Sequence, residues 1–103
     1  DDKNFGLQHK YYLANLFEKE KRFDESTAII MGILEKEPKN AHAWNFLGYS
    51  MLMRGDEMDK AYEYLQKAKA ISPNDGYIRD SLGWYYYKKG DVKKALTELQ
   101  AAF

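Results

Sequence analysis

Leu47, Gly48, Met51, Ala61, Leu65, Ala68 and Pro73 have counterparts on both sides at almost constant distance. Upstream the places are taken by Leu13, Ala14, Phe17, Ser26, Ile30, Ile33 and Pro38, and downstream by Leu82, Gly83, Tyr86, Ala95, Leu99 and Ala102. The step is 34 residues from Leu13 to Leu47 and 35 from Leu47 to Leu82. A fixed period of that length is the mark of stacked supersecondary units, each too small to bury its own apolar face. The odd residue can be placed. Met51 to Ala61 is ten residues where Phe17 to Ser26 and Tyr86 to Ala95 are nine, so the insertion falls in the turn Arg54 to Asp59, where it adds little closure entropy.

Within each unit the apolar spacing is helical. Leu13, Leu16 and Phe17, with Tyr12 alongside, define one face of a first helix over Leu7–Lys21, with Asp1 to Gly6 leading into it. Asp24-Glu25-Ser26 reads as the capped start of a second helix to about Lys36, and Pro38 follows its end. Asn40 is the expected N-cap of a third helix, Ala41 to about Arg54. Gly55 suits a left-handed C-cap, and Asp56 to Asp59 supply acids for a fourth helix ending at Ile71. The third pair opens at Asp75 or Gly76, turns at Gly90-Asp91 and is expected to remain helical to Phe103. The small residues Ala14, Gly48 and Gly83, with Ser26, Ala61 and Ala95 facing them, are expected to let paired helices approach closely. Val92, Leu96, Leu99 and Phe103 are expected to lack a covering helix.

These landmarks resemble the tetratricopeptide repeat, whose pattern is a Trp, then Leu-Gly, then Tyr in the first helix, and Ala, Phe, Ala and Pro in the second. The middle unit matches at Trp44, Leu47-Gly48, Ala61, Leu65, Ala68 and Pro73, with Met51 for the Tyr. The third matches at Leu82-Gly83, Tyr86, Gly90-Asp91, Ala95, Leu99 and Ala102, with Arg79 in the Trp place; in the first, Lys10 and Lys21 replace the Trp and the turn Gly. The resemblance implies an all-α, right-handed α-solenoid of three antiparallel helix pairs, six helices in all. It would form one domain over 1–103 with repeats at about 7–40, 41–75 and 76–103, the last cut short. The run Gly76 to Trp84 is similar to repeats common in bacterial proteins of this family. The absence of an initiator Met reads as an excerpt of a longer protein.

The family implies a non-catalytic adaptor that binds a peptide or protein segment in a concave groove lined by the first helix of each pair. By register the groove residues are Tyr11, Asn15, His42, Asn45, Tyr49, Tyr77, Asp80, Trp84, Tyr87 and Lys88, with Gln8, Lys19, Leu52 and Met53 beside them. Tyr and Trp offer large rigid contact area with a polar tip, which suits a bound polypeptide. The family's carboxylate clamp for chaperone tails is not expected. Its cation and amide positions hold Tyr11, Asn15, Phe46, Tyr77 and Ser81, so a terminal carboxylate finds no charged partner. The alternative reading is a self-association module that uses exposed terminal helix faces, giving a homo-oligomer through the last helix.

Composition narrows the chemistry. Sixteen basic and sixteen acidic side chains balance, which gives no reason to expect a nucleic acid partner. Without cysteine there is no disulfide, thiolate nucleophile or Cys-ligated zinc. His9 and His42 lack the i, i+4 spacing of a helical zinc motif and read as surface polarity, so no metal and no cofactor are expected. Asp56, Glu57 and Asp59 lack the alternating ligands of a calcium loop, and neither a nucleophile elbow nor a phosphate loop occurs. No catalysis is expected. No apolar run is long enough to span a bilayer, so no direct membrane insertion is expected; a soluble domain of cytoplasm or periplasm fits equally.

Overall fold

The computed structural model describes residues 2–55 and 57–102, with the backbone alone at 2–4. Six helices follow one another: α1 (Asp2–Lys19), α2 (Phe23–Lys36), α3 (Ala41–Arg54), α4 (Met58–Ile71), α5 (Gly76–Lys88) and α6 (Val92–Ala101). No strand occurs among the described residues, and no helix there is long and apolar enough to cross a membrane. The chain packs as two compact units, Asp1–Lys39 and Asn40–Phe103.

In the first unit α1 packs against α2. Its core holds Ala14, Ser26, Ile30, Ile33 and Leu34, all buried, with Phe17 half-buried beside them. Two expectations need correcting. α1 is helical from Asp2, not from Leu7, and stops at Lys19; Leu13 and Leu16 stay 36% and 42% exposed, so Ala14 carries the inward face instead. α2 starts one residue before Asp24 and has no side-chain cap. Arg22 at the cap position instead forms a bidentate pair with Glu25, its Nε donating at 2.7 Å. Lys21 occupies the turn place of Gly55 and Gly90 and shares their positive φ, 61° against 80° and 86°. A side chain in that region is strained, a cost that the other two repeats avoid at this place by using glycine.

In the second unit Asn40 is the N-cap that the sequence predicts, α5 and α6 are capped as well, and α4 has no side-chain cap. Asn40 accepts from the Ala43 amide at 3.1 Å, Asp75 from the Tyr77 amide at 2.8 Å, and Asp91 from the Lys94 amide at 3.1 Å. The inserted residue is bracketed too: after Gly55, Glu57 also takes a left-handed backbone (φ 48°), where the other turns have one such residue. Asp56 between them, and Phe103 at the end of the last repeat, lie outside the described residues. α3 packs on α4 and α5 on α6, while α5 also lies against both α3 and α4. Leu52, Leu65, Ala68, Ile78, Leu82 and Tyr85 form one buried cluster drawn from both pairs, edged by Trp44, Tyr62 and Tyr86. α6 ends at Ala101, and Val92 and Leu96 are more than half exposed, whereas Leu99 is half-buried against Gly83.

The pairing within each repeat depends on an absent side chain. A methyl group on Gly48 would lie 2.6 Å from Leu65 Cγ and 3.1 Å from the Ala61 carbonyl; on Gly83 it would lie 2.6 Å from Leu99 Cγ and 3.5 Å from the Ala95 carbonyl. The leucine therefore rests on bare backbone, and Ala61 and Ala95 opposite are buried alanines.

A second pairing tells the two repeats apart. In the middle repeat the Trp44 ring packs against Tyr64 of α4 at 5.6 Å, with Lys67 Nζ 4.6 Å from its centre. The same places in the third repeat hold Arg79 and Glu98, and the aromatic contact becomes an ion pair of 2.5 Å. Lys69 of α4 reaches the other carboxylate oxygen of Glu98 at 3.2 Å, and Arg79 Nε donates to the Pro73 carbonyl at 2.8 Å. The Glu98 side chain is only 7% exposed, and it ties α4, α5 and α6 together.

Two predictions arise here. Gly48→Ala should cost a net of up to about 2 kcal/mol in denaturant unfolding, overpacking of about 1–3 kcal/mol less about 1 kcal/mol of recovered helix propensity. Gly83→Ala should cost less, since the carbonyl opposite is farther away; equal or reversed effects would contradict the close-approach account. Separately, Arg79→Trp and Glu98→Tyr should each destabilise by roughly 1–3 kcal/mol, moderated because Arg79 and Lys69 keep 22% and 31% exposure. The double variant, which recreates the Trp44 and Tyr64 contact, should regain most of the loss. A double-mutant cycle with coupling below about 0.5 kcal/mol would deny that the places are paired.

Candidate functional site

The residues expected to line a binding groove fall on α1, α3 and α5. On α1 of the first unit, Tyr11 is half-buried and Asn15 exposed, four residues apart on one side of the helix. On α3 of the second unit, His42, Asn45 and Tyr49 follow at three- and four-residue spacing, with Met53 a turn further. On α5 the sequence is Tyr77, Asp80, Trp84, then Tyr87 and Lys88.

The two helices of the second unit bring their sets together. The His42 ring meets the Tyr77 ring at 6.3 Å near the starts of α3 and α5, and by the 35-residue step of the repeat Asn45 corresponds to Asp80 and Tyr49 to Trp84. The aromatics are not consumed as padding. Tyr77 is 74% exposed, Tyr87 59%, Tyr49 44% and Trp84 43%, and Trp84 and Tyr87 form an edge-to-face pair at 5.7 Å. Lys88 is exposed at the far end.

Two assignments change. Leu52, counted beside the groove, is fully buried in the shared core, where it meets the third repeat. Tyr86, the residue in core register, is only half-buried, whereas Tyr85 is 8% exposed. Tyr85 lies against Tyr62 of α4 at 4.7 Å, so the preceding repeat decides which of the adjacent tyrosines goes deeper. Ser81 is buried and its hydroxyl donates to the Tyr77 carbonyl at 3.1 Å, which removes it from the face altogether. One feature gave no sequence signal: the Asn45 Oδ1 is buried and accepts no hydrogen bond.

Behind this face the tyrosines form their own polar seam. The Tyr62 and Tyr86 hydroxyls are 3.4 Å apart. Burial, then the hydrogen bond with Tyr62, pushes the Tyr86 phenol well above its ordinary value, and burial followed by the Asp59 charge raises Tyr85. No group of three or more His, Cys, Asp or Glu side chains positioned to hold a metal ion occurs among the described residues.

The repeat geometry has relatives. A TPR repeat-containing protein of Pseudomonas aeruginosa, PA4667, is 33% identical over 92 residues, 89% of this chain. A TPR repeat-containing protein of Methanocaldococcus jannaschii, MJ1428, is 30% identical over 89 residues, 86% of the chain. The helix pairs are tetratricopeptide repeats. The chain spans 16% of the length of each of these two relatives. No family model matches it. Among solved structures, one titled MamA MSR-1 C2 superposes with a TM-score of 0.70 at 20% identity, over 90% of this chain and 53% of that one. The fold is thus an all-α helical solenoid, and departures from the repeat pattern, Arg79 for Trp and Lys21 for Gly, are local substitutions inside it.

The seam behind the tetratricopeptide face predicts a pH dependence. Folded Tyr85 and Tyr86 hold their protons beyond the ordinary phenol value of 10.0, where the unfolded chain releases them, so above that pH the unfolded state binds fewer protons. Stability should be constant in this respect below about pH 10 and fall as the pH rises further. Tyr86→Phe should flatten the fall, measured by denaturant unfolding across that pH range. A variant with an unchanged alkaline slope would refute the assignment.

Proposed function

We propose that this chain is a non-catalytic protein-interaction module that takes up a polypeptide segment along the face formed by α3 and α5. The supporting observation is the exposure of Tyr49, Tyr77, Trp84 and Tyr87 on one side of two adjacent helices. Exposed aromatics in register are costly to leave in water and typical of anchor positions, because a large rigid ring loses little side-chain entropy when a partner covers it. The tetratricopeptide repeats of the relatives fit a scaffold of this kind, and MamA supports it through its fold alone. Covered by a peptide, each ring would remove its apolar face from water at about 25 cal/mol per Å².

Adaptor and scaffold roles both follow from one rigid face. A face shared by parallel helices is open, unlike the enclosed polar pocket that catalysis requires. The raised phenols of Tyr85 and Tyr86 are explained first by burial in the helix seam.

The double variant Tyr49→Ala, Trp84→Ala should weaken capture of an affinity-purified partner by at least about tenfold while circular dichroism stays helical, since truncating central anchors costs at least about 2 kcal/mol. Undiminished binding by the folded variant would remove α3 and α5 from the site.

A further inference from the structure

The ligand that this face selects can be narrowed from its unpaired acceptors, an inference that rests on the groove reading above. Asp80 is half-buried in the middle of α5, between Tyr77 and Trp84. It takes part in none of the ion pairs among the described residues. The other structural carboxylates of this unit have partners: Asp75 and Asp91 cap helices, and Glu98 is held by Arg79 and Lys69. Asp80 has no such use. It is the fifth residue of its helix, past the first four orphan amides, and Asp is a poor helix former there.

Its register neighbour on α3 is Asn45, whose buried Oδ1 accepts nothing. That oxygen is sealed from the surface, so the accessible demand on this face is the half-buried Asp80 carboxylate, which lacks a cation among the described residues. The face itself does not meet it. Lys88 is eight residues beyond Asp80, about 12 Å along the helix axis and past the reach of its side chain.

We infer that the polypeptide bound on α3 and α5 presents a basic side chain, Lys or Arg, to Asp80. The ring faces of Tyr49 and Trp84, one turn further along each helix, receive its aliphatic stem and cation, and apolar neighbours of the basic residue cover Tyr77 and Tyr87. Charge complementarity decides against an acidic segment: the face places a carboxylate where such a ligand would bring another.

Peptides selected from a random-sequence display library on the 103-residue chain test this. Selected peptides should carry Lys or Arg flanked by apolar residues, bind more weakly as ionic strength rises, and lose about tenfold in affinity with Asp80→Asn, which keeps the side-chain shape. They should lose binding altogether with Trp84→Ala. Peptides that need Trp84 but lack a basic residue, or that bind Asp80→Asn as well as the parent, overturn the basic-ligand inference and leave the groove in place. Peptides indifferent to Trp84→Ala overturn the groove itself.

Discussion

The seat of one leucine on one glycine sets the geometry of each repeat in the second unit. With Leu65 over Gly48 and Leu99 over Gly83, the paired helices approach as closely as backbone allows, and all else is arranged at that spacing. Close packing explains the neighbours: only alanine fits opposite, at Ala61 and Ala95, and the larger residues Leu52, Ile78 and Leu82 fill what remains between the pairs. In the first unit Ala14 and Ser26 hold the corresponding places, both buried, so the first repeat keeps the small-residue contact with one carbon more.

Around that fixed contact the repeats are free to exchange chemistry, provided they do so in pairs. Trp44 with Tyr64 and Arg79 with Glu98 occupy the same two places and solve the same problem, joining the two helices of a repeat, one by dispersion and the other by charge. The ionic version desolvates a carboxylate, which is tolerable because two cations and the Pro73 carbonyl complete the network. It also reaches back to Lys69 of the preceding repeat, so it joins repeats as well as helices. A departure from the family pattern at one position is therefore explained only by reading its partner 19 residues later.

Much of this was legible in the residues alone, because the informative positions are those where local chemistry and packing demand the same thing. Asn40 and Asp75 cap as their types predict, and the extra residue falls beside Gly55 as the spacing requires. The misjudged positions are those whose burial comes from a neighbouring helix. Tyr85 and Tyr86 differ by 100° around α5, both near the inward direction, and Tyr62 on α4 settles which one is covered. Leu52 and Met53 are divided in the same way, one fully buried in the shared core and the other 43% exposed. Arg22 displaced the expected cap of α2 because its fork matches the Glu25 carboxylate three residues on. Of the candidate site, register alone selected the exposed aromatics, while the unpaired oxygen of Asn45 depends on side-chain surroundings that a pattern of residue types does not encode.

The exposed aromatics follow from the same division of labour around a helix. α5 spends one stripe on α6 through Gly83 and another on α3 and α4 through Ile78, Leu82 and Tyr85. What is left over is the stripe of Tyr77, Asp80, Trp84 and Tyr87. Helical stability places no demand on that stripe, and polar residues would serve it at least as well. Rings there add exposed apolar surface that folding does not recover, and Asp80 adds a carboxylate that forms no ion pair among the described residues. Both costs are borne by the folded unit, and the proposed ligand, a segment that brings apolar surface and positive charge together, would relieve both at once.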